Sequence, residues 1–133
     1  MIKKVDHVAI VVKNLDEALA LYLKVFGAKP SHIETLPEQG VKAALLPMKE
    51  GGEIELLEPI SPESGIGKFL ETRGEGLHHI CLEVDNIEKE IQSMTAAGVS
   101  LIDKQPRKGL AGRVAFIHPK STRGVLVELA QKV

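Results

Sequence analysis

The chain has 133 residues, with 17 basic and 18 acidic side chains and a formal net charge of −1. This length predicts one domain that buries its own core, and the balanced charge offers no basic surface for nucleic acid or for an anionic membrane. The single cysteine, Cys81, excludes an intrachain disulfide and favours a reducing compartment. No apolar run approaches the roughly 20 residues that span a bilayer, so we expect a cytoplasmic protein.

The first half predicts the order strand, helix, strand, strand, strand. Residues 6–12 are apolar and β-branched, and the run is too short for an independent helix. Asn14 and Glu17 form a capping box before a helix with apolar residues at helical spacing, which ends at Gly27. The three remaining strands are predicted at 29–35, 41–48 and 53–58.

The second half repeats this order after an irregular stretch, residues 61–76, with one short helix predicted near 66–72. A strand at 77–84 precedes a helix at 87–97, for which Asp85 is the predicted N-cap. The later strands are predicted at 101–103, 113–117 and 125–130, with a loop at 105–112 between the first two.

An internal repeat brings two histidines and two glutamates to matching positions. His79 coincides with His7 at an offset of 72 (79 − 7), and Glu128 coincides with Glu55 at an offset of 73 (128 − 55). A period this long exceeds the roughly 20 to 50 residues of solenoids, so it indicates two fused copies of one β-α-β-β-β unit. The copies are predicted at 5–60 and 77–131 of a single domain, 1–133.

The faces of the strands indicate that these four residues line one surface. Side chains alternate along a strand, and the neighbours of His79 on the opposite face, such as Ile80 and Leu82, are aliphatic. The same holds for the other three strands, so a helix is expected to cover the aliphatic faces. If the modules pack by a pseudo-two-fold, two imidazoles and two carboxylates share a cleft and suit a divalent first-row metal. A lone His or Glu is more often packed or solvated, but duplication favours a metal site.

The three other histidines and Cys81 are weaker candidates for ligands, since His32 has no copy in the second half and thiolate ligation by Cys81 has no support from the repeat. His78 has the parity of the aliphatic face, and His32 lies in a weak strand that is expected at the surface. His118 precedes Pro119 in a turn, where it can orient a loop or contact a ligand. Cys81 shares the face of His79 and is interpreted as a small pocket-lining residue.

Beyond these patterns, the sequence resembles the vicinal oxygen chelate superfamily, which includes glyoxalase I, extradiol dioxygenases and methylmalonyl-CoA epimerases. The fold that the resemblance implies is α+β: two fused β-α-β-β-β modules that form a curved, incompletely closed mixed β-sheet barrel around a metal site. The segments similar to the epimerases are 6–9, 37–41, 55–59, 76–80 and 118–129. The last of these segments is the most specific for the epimerases, since glyoxalases more often carry an Asp-Pro-Asp-Gly type of turn there.

The resemblance also implies a ligand set, a cofactor and an assembly. The metal is expected to be Co²⁺, with Ni²⁺, Mn²⁺ or Zn²⁺ as alternatives, in a homodimer. Some epimerases have Gln at the position of Glu55. Some members of the family have a carboxylate that acts as a catalytic base where this chain has Ala43, so the role of that base is not carried over to this chain. The expected ligands are His7, Glu55, His79 and Glu128.

The implied reaction interconverts (R)- and (S)-methylmalonyl-CoA by proton abstraction at C2 through a metal-stabilised enolate. Epimerisation removes a proton from one face and returns it to the other, so we assign Glu55 and Glu128 as the two acid/base groups. Cations in the loops of the second half are candidates to contact the CoA phosphates, with a solvated basic rim as the alternative. These candidate substrate-binding residues are Arg107, Lys108, Arg113, Lys120 and Arg123.

Three other functions remain open within the same fold. Glyoxalase I, which isomerises a glutathione hemithioacetal, uses the same His, Glu, His, Glu set, and only the segments near residues 37–41 and 118–129 argue against it. A non-catalytic small-molecule binding protein usually lacks the ligands that this chain keeps. An extradiol dioxygenase needs two histidines and one carboxylate on iron, so the second glutamate disfavours it.

Overall fold

A computed structural model describes residues 1–132, which cluster into two compact units. The first unit comprises residues 7–78, and the second comprises residues 1–6 together with the chain from residue 79 onward. Each unit holds one copy of the repeat. Among the described residues, no helix combines the length and the apolar character needed to cross a membrane. The helices and strands are β1 (Ile2–Val11), α1 (Leu15–Phe26), β2 (His32–Leu36), β3 (Val41–Pro47), β4 (Glu53–Pro59), α2 (Gly65–Arg73), β5 (Gly76–Val84), α3 (Ile87–Ala96), β6 (Arg107–Gly109), β7 (Gly112–Ile117) and β8 (Val127–Gln131).

The first unit is a mixed sheet in the order β2-β3-β4-β1, in which only β4 and β1 run parallel. Helix α1 begins where the Asn14 side chain accepts the N–H of Glu17 at 3.0 Å, and it ends at Gly27, whose φ of 67° is left-handed. Both caps are as predicted. The helix covers the aliphatic face of the sheet, and the core between them is formed by Val12, Leu15, Ala28, Ala44, Leu46 and Leu56.

The second unit repeats this architecture in the order β5-β8-β7-β6, with β5 and β8 parallel. Helix α3 covers its aliphatic face. The start of β1 also belongs here, since Lys3 Nζ lies 3.4 Å from Glu83 and the N-terminal ammonium lies 2.5 Å from Glu90. The core under α3 is formed by Val84, Ile87, Ile91, Ala115, Ile117, Val127 and Leu129. The predicted pair of β-α-β-β-β modules is therefore confirmed.

The two parallel strand pairs have the same register. Ala9 of β1 is opposite Glu55 of β4, and Cys81 of β5 is opposite Glu128 of β8. In each unit the glutamate therefore lies opposite the residue two positions beyond the histidine, and a diagonal neighbour of this kind shares its face of the sheet. The offsets of 72 and 73 read from the sequence thus correspond to one geometry built twice.

Helices α1 and α3 are each held to the last strand of their module by a side chain. The N–H of Leu15 donates to Glu58 Oε1 at 2.6 Å, and the N–H of Ile87 donates to Gln131 Oε1 at 2.9 Å. Both donors belong to fully buried residues at the first helical position, where the helix itself supplies no acceptor. The amide in one module and the carboxylate in the other perform the same task.

A pair of substitutions at Glu58 tests this helix anchor. Glu58→Ala is expected to lower the free energy of unfolding by about 1 kcal/mol, because the Leu15 N–H loses its acceptor. Glu58→Gln is expected to unfold like the wild type, since Gln131 already fills the equivalent position with an amide. Urea denaturation of the three proteins measures the difference. Equal losses for both substitutions would contradict the anchor.

The N-cap of α3 differs from the prediction. Asn86, rather than Asp85, has the extended backbone of a cap (φ −144°, ψ 103°), and its side chain accepts the N–H of Lys89 at 3.0 Å. Helix α3 starts at the buried Ile87, whose N–H is held by Gln131 Oε1 at 2.9 Å, so the residue before it is the cap. Asp85 is left one position early, with a carboxylate oxygen 4.0 Å from the N-terminal ammonium.

The region between α3 and β7 also differs from the prediction. Residues 101–103 do not form a strand: Ile102 and Asp103 both donate to the Phe116 carbonyl, at 2.9 and 3.3 Å, and two residues opposite one interrupt a ladder. The predicted loop at 105–112 instead contains β6, which pairs with β7 through a tight hairpin in which Gly109 faces Gly112. A Cβ on Gly109 would lie 2.7 Å from a methyl group of Val114, so a larger residue here would have to displace that side chain.

Smaller differences concern strand ends. Strand β2 starts at His32 rather than at residue 29, because Pro30 has no N–H for the sheet. Strand β8 starts at Val127, two residues late, since the Val125 carbonyl accepts the Thr122 hydroxyl within the preceding turn.

Candidate metal centre

The first unit places a predicted imidazole beside a predicted carboxylate. His7 on β1 and Glu55 on β4 are 3% and 6% exposed, and His7 Nε2 lies 3.6 Å from Glu55 Oε1. The parallel register brings them together on the face that α1 does not cover. The separation is longer than an ordinary hydrogen bond and is compatible with two ligands of one ion.

The second unit contains the equivalent pair. His79 on β5 and Glu128 on β8 are each 7% exposed, with His79 Nε2 3.1 Å from Glu128 Oε1. Of the buried polar or charged residues in the described chain, only Asp6 lies outside the two pairs, and its carboxylate meets Lys132 Nζ at 2.9 Å. The four residues of these pairs are those that the sequence offers as metal ligands, and their role as ligands stays a prediction.

The donor chemistry of the pairs fits a divalent metal. A buried carboxylate loses its hydration and needs a cation or hydrogen-bond donors as compensation. A neutral imidazole and a carboxylate side by side are the nitrogen and oxygen donors that first-row divalent ions accept. A structural ion pair between His and Glu would explain one of these pairs taken alone. It gives no reason for finding the same pair at the same strand register in both units.

Apolar groups surround the pair of the second unit. Cys81, Val114 and Ala130 form a buried cluster on the same side of the sheet, so the Cys81 thiol is buried; its role as a small lining residue stays a prediction. The ring of Phe116 lies 5.3 Å from the His79 ring, with the two planes at 86°. The sequence analysis did not single out Phe116, although its register partner on β8 is Glu128.

The surroundings of the first pair lack a further carboxylate on the neighbouring strand. Leu45 of β3 is opposite Glu55, and Ala43, two residues earlier on the same face, is 1% exposed. Glu55 is therefore the carboxylate that the first unit places on this buried face beside His7.

The predicted substrate-binding cations lie in different environments. Arg107 Nε donates to Asp103 Oδ1 at 3.2 Å, and its guanidinium lies over the Phe116 ring at 5.5 Å. Arg113 forms a two-pronged ion pair with Glu88 of α3, including Nη1 to Oε1 at 3.2 Å. The other three predicted cations, Lys108, Lys120 and Arg123, are exposed.

The ion pair between Arg113 and Glu88 shifts the pKa values of both groups. The hydrogen bond from Arg113 lowers the pKa of Glu88 below its usual value, and the same bond raises the pKa of Arg113. Any stability from this pair is present above the usual pKa of a glutamate and disappears as the pH falls through the lowered value. Because both groups are exposed to solvent, the pair is a surface interaction of small effect.

The remaining histidines lie outside the two pairs. His78 packs its ring against Phe69 at 4.9 Å, and His32 is half exposed beside Glu34, 2.8 Å away. His118 orients its turn, because its Nδ1 accepts the N–H of Lys120 at 3.1 Å.

Comparisons with known proteins define the class of this chain. Residues 6–116 match the profile of the Glyoxalase/Bleomycin resistance protein/Dioxygenase superfamily. The mitochondrial methylmalonyl-CoA epimerase of Dictyostelium discoideum is 44% identical over 133 residues, which cover 98% of this chain and 80% of the relative. The ethylmalonyl-CoA/methylmalonyl-CoA epimerase of Cereibacter sphaeroides is 37% identical over 134 residues, which cover 98% of this chain and 99% of the relative. The chain therefore belongs to the glyoxalase, bleomycin resistance and dioxygenase superfamily.

A solved structure supports the more particular assignment. A methylmalonyl-CoA epimerase in complex with methylmalonyl-CoA and NH₄⁺ matches with a TM-score of 0.92 and 34% identity, over 100% of this chain and 96% of that one. Within the superfamily, the chain is a member of the methylmalonyl-CoA epimerases, an enzyme of the epimerase class of isomerases. The predicted family and fold class are confirmed.

Proposed function

We propose that this enzyme interconverts (R)- and (S)-methylmalonyl-CoA by moving the proton at C2. The observation that carries the proposal is the buried His–Glu pair, built at the same strand register in both modules. The relatives named for this reaction support the choice of substrate. The relative from Cereibacter sphaeroides, whose name includes ethylmalonyl-CoA, makes a slightly larger acyl group the first variation to examine.

The proposed cofactor is one divalent metal ion. Co²⁺ is our first choice, with Ni²⁺, Mn²⁺ or Zn²⁺ as alternatives that accept the same nitrogen and oxygen donors. When bound, such an ion supplies a Lewis acid that stabilises negative charge developing on the substrate carbonyl oxygen. The proposed ligands are His7, Glu55, His79 and Glu128.

The proposed acid/base groups are Glu55 and Glu128. Epimerisation requires one group to remove the C2 proton and another to return a proton to the opposite face, and the repeat supplies one carboxylate per module for these roles. Both carboxylates are at least nine-tenths buried, so the proposed proton transfer takes place inside the protein. Ala43 offers no carboxylate as a substitute.

Cationic side chains of the second unit are proposed to bind the phosphates of CoA. Arg107 is already oriented by Asp103 and Phe116, whereas Arg113 would have to share its guanidinium with Glu88. Lys108, Lys120 and Arg123 are exposed and would bind phosphate mainly as mobile charges, so their individual effects on KM are expected to be small. The other proposed contacts are Lys108, Lys120 and Arg123.

Assembly and location stay predictions. We propose a homodimer in the cytoplasm, in which residues 1–133 form one domain. Sedimentation equilibrium of the purified chain tests the dimer directly.

Glyoxalase I is the second candidate function, because it uses the same set of ligand types. Supplying a single epimer of methylmalonyl-CoA separates the two candidates: we expect the other epimer to appear until the two are equal. The glutathione hemithioacetal of methylglyoxal is expected to remain unchanged. Turnover of the hemithioacetal without epimerisation of the thioester would replace the first proposal with the second.

A further inference from the structure

The ring of Phe116 touches one member of the His79–Glu128 pair and also carries a cation. Its centroid is 5.3 Å from that of His79, and the Arg107 guanidinium carbon lies over the same ring at 5.5 Å. Glu128 is the register partner of Phe116 across β7 and β8. We propose that Phe116 is a positioning residue, which holds His79 in the orientation for metal binding and holds Arg107 in the orientation for binding an anionic group of the substrate.

Asp103 holds both the backbone that carries this ring and the cation that lies over it. One carboxylate oxygen, Oδ2, accepts the backbone N–H of Phe116 at 2.9 Å, and the other, Oδ1, accepts Nε–H of Arg107 at 3.2 Å. The Asp103 side chain is only 17% exposed, so water competes weakly for these bonds. One side chain therefore ties the β7 backbone and the guanidinium together. The two Nη groups of Arg107 are the donors left to meet an anion.

The contact with His79 has a consequence for metal affinity. A metal-bound imidazole must keep one ring orientation, and a protein that fixes this orientation beforehand spends less conformational entropy on binding. Perpendicular aromatic pairs contribute enough beyond simple burial to change an equilibrium by about threefold to tenfold. Loss of the Phe116 ring is expected to weaken metal binding within this range.

The contact with Arg107 has a separate consequence for the substrate. An aromatic ring under a guanidinium and a carboxylate at Nε leave Arg107 few alternative orientations, so its Nη groups are ready to bind a planar carboxylate or a phosphate. The assignment of this anion rests on the proposed function, in which the substrate carries both a C2 carboxylate and the CoA phosphates. Metal affinity, by contrast, does not depend on which substrate the enzyme uses.

The first unit supplies a matched control. Phe69 of α2 has a histidine ring, His78, at 4.9 Å and a guanidinium carbon, that of Arg73, at 5.6 Å. The three groups thus repeat the arrangement around Phe116 with a histidine that is not a proposed ligand. Phe69→Leu removes the same kind of contacts as Phe116→Leu, without touching either His–Glu pair.

The test uses Co²⁺ as a probe. We expect Phe116→Leu to bind Co²⁺ about threefold to tenfold more weakly in competition with a chelator and to change the visible absorption of the bound ion. Phe69→Leu is expected to stay within about twofold of the wild type in affinity, with the same spectrum. Circular dichroism at the assay temperature establishes that each variant is folded. A folded Phe116→Leu protein with wild-type affinity and spectrum would overturn the role of Phe116 toward His79.

Arg107→Met completes the test. We expect unchanged Co²⁺ affinity, a raised KM and a nearly unchanged kcat. With a pantetheine thioester that lacks the nucleotide phosphates, a persisting rise assigns Arg107 to the substrate carboxylate, and a lost rise assigns it to the phosphates. An unchanged KM with both substrates would overturn the role of Arg107. If no epimerisation is seen at all, the proposed function fails, while the Co²⁺ comparison of Phe116→Leu with Phe69→Leu still decides the role toward His79.

Discussion

Replacing Glu128 with Gln is expected to reduce epimerisation by about 10²- to 10⁴-fold, the usual contribution of a positioned acid/base group. The amide oxygen can still ligate a metal, whereas an amide cannot accept the C2 proton. Metal content is therefore expected to fall much less than turnover. Parallel measurement of bound metal by elemental analysis and of turnover from one epimer of methylmalonyl-CoA separates these two effects.

Glu58→Gln is the matched control for this substitution. It makes the same chemical change at a glutamate of β4 that holds the start of α1 and lies outside both His–Glu pairs. Its turnover and metal content are expected to equal those of the wild type. Full activity in Glu128→Gln would remove Glu128 from proton transfer, and loss of all metal would leave its acid/base role without support.

Replacing His79 with Ala is expected to weaken metal binding by at least about 100-fold, since even groups that only support a ligand are worth about 10- to 100-fold. The substitution also leaves the buried Glu128 without its imidazole neighbour, which is expected to destabilise the metal-free protein by about 1 to 3 kcal/mol. Because the repeat makes His7 equivalent, His7→Ala is expected to lose metal to a similar degree. Titration with Co²⁺ and urea denaturation measure the two effects.

His32→Ala is the control for the histidine substitutions. His32 is exposed beside Glu34 on an edge strand, so its loss is expected to change neither metal affinity nor unfolding appreciably. A His79→Ala protein that binds Co²⁺ as tightly as the wild type would show that the ion lies elsewhere. Unequal losses for the His79 and His7 variants would mean that the modules contribute unequally.

The faces of the strands could be predicted from the repeat. Alternation places His79 and Ile80 on opposite faces of β5 whatever the surrounding structure, and the aliphatic face must be covered by a helix. The same logic placed His7, Glu55 and Glu128 on the faces opposite the aliphatic ones, and the structure shows all three buried there. Short-range periodicity and chain order were sufficient for these assignments.

Other features depend on contacts that periodicity does not encode. Phe116 lies beside His79 because β7 pairs with β8 and β8 pairs with β5, and the carboxylate of Asp103 holds the backbone of Phe116 there. The local sequence predicts neither contact. The hairpin at Gly109 could not be predicted, because the close approach of this glycine to the Val114 methyl groups is seen only in the folded structure. Asp85 and Asn86 both belong to residue types that cap helices well, and the start of α3 at Ile87 is set by a contact with Gln131, 44 residues away in the chain.

The most direct test of the proposed function follows deuterium incorporation at C2 of methylmalonyl-CoA by NMR in deuterated water. The measurement uses protein loaded with Co²⁺, the same protein after chelation, the chelated protein reloaded with Co²⁺, and a blank without protein. We predict incorporation well above the blank that disappears on chelation and returns on reloading. Incorporation that survives complete metal removal would contradict the metal-dependent mechanism, and none above the blank would contradict epimerisation itself.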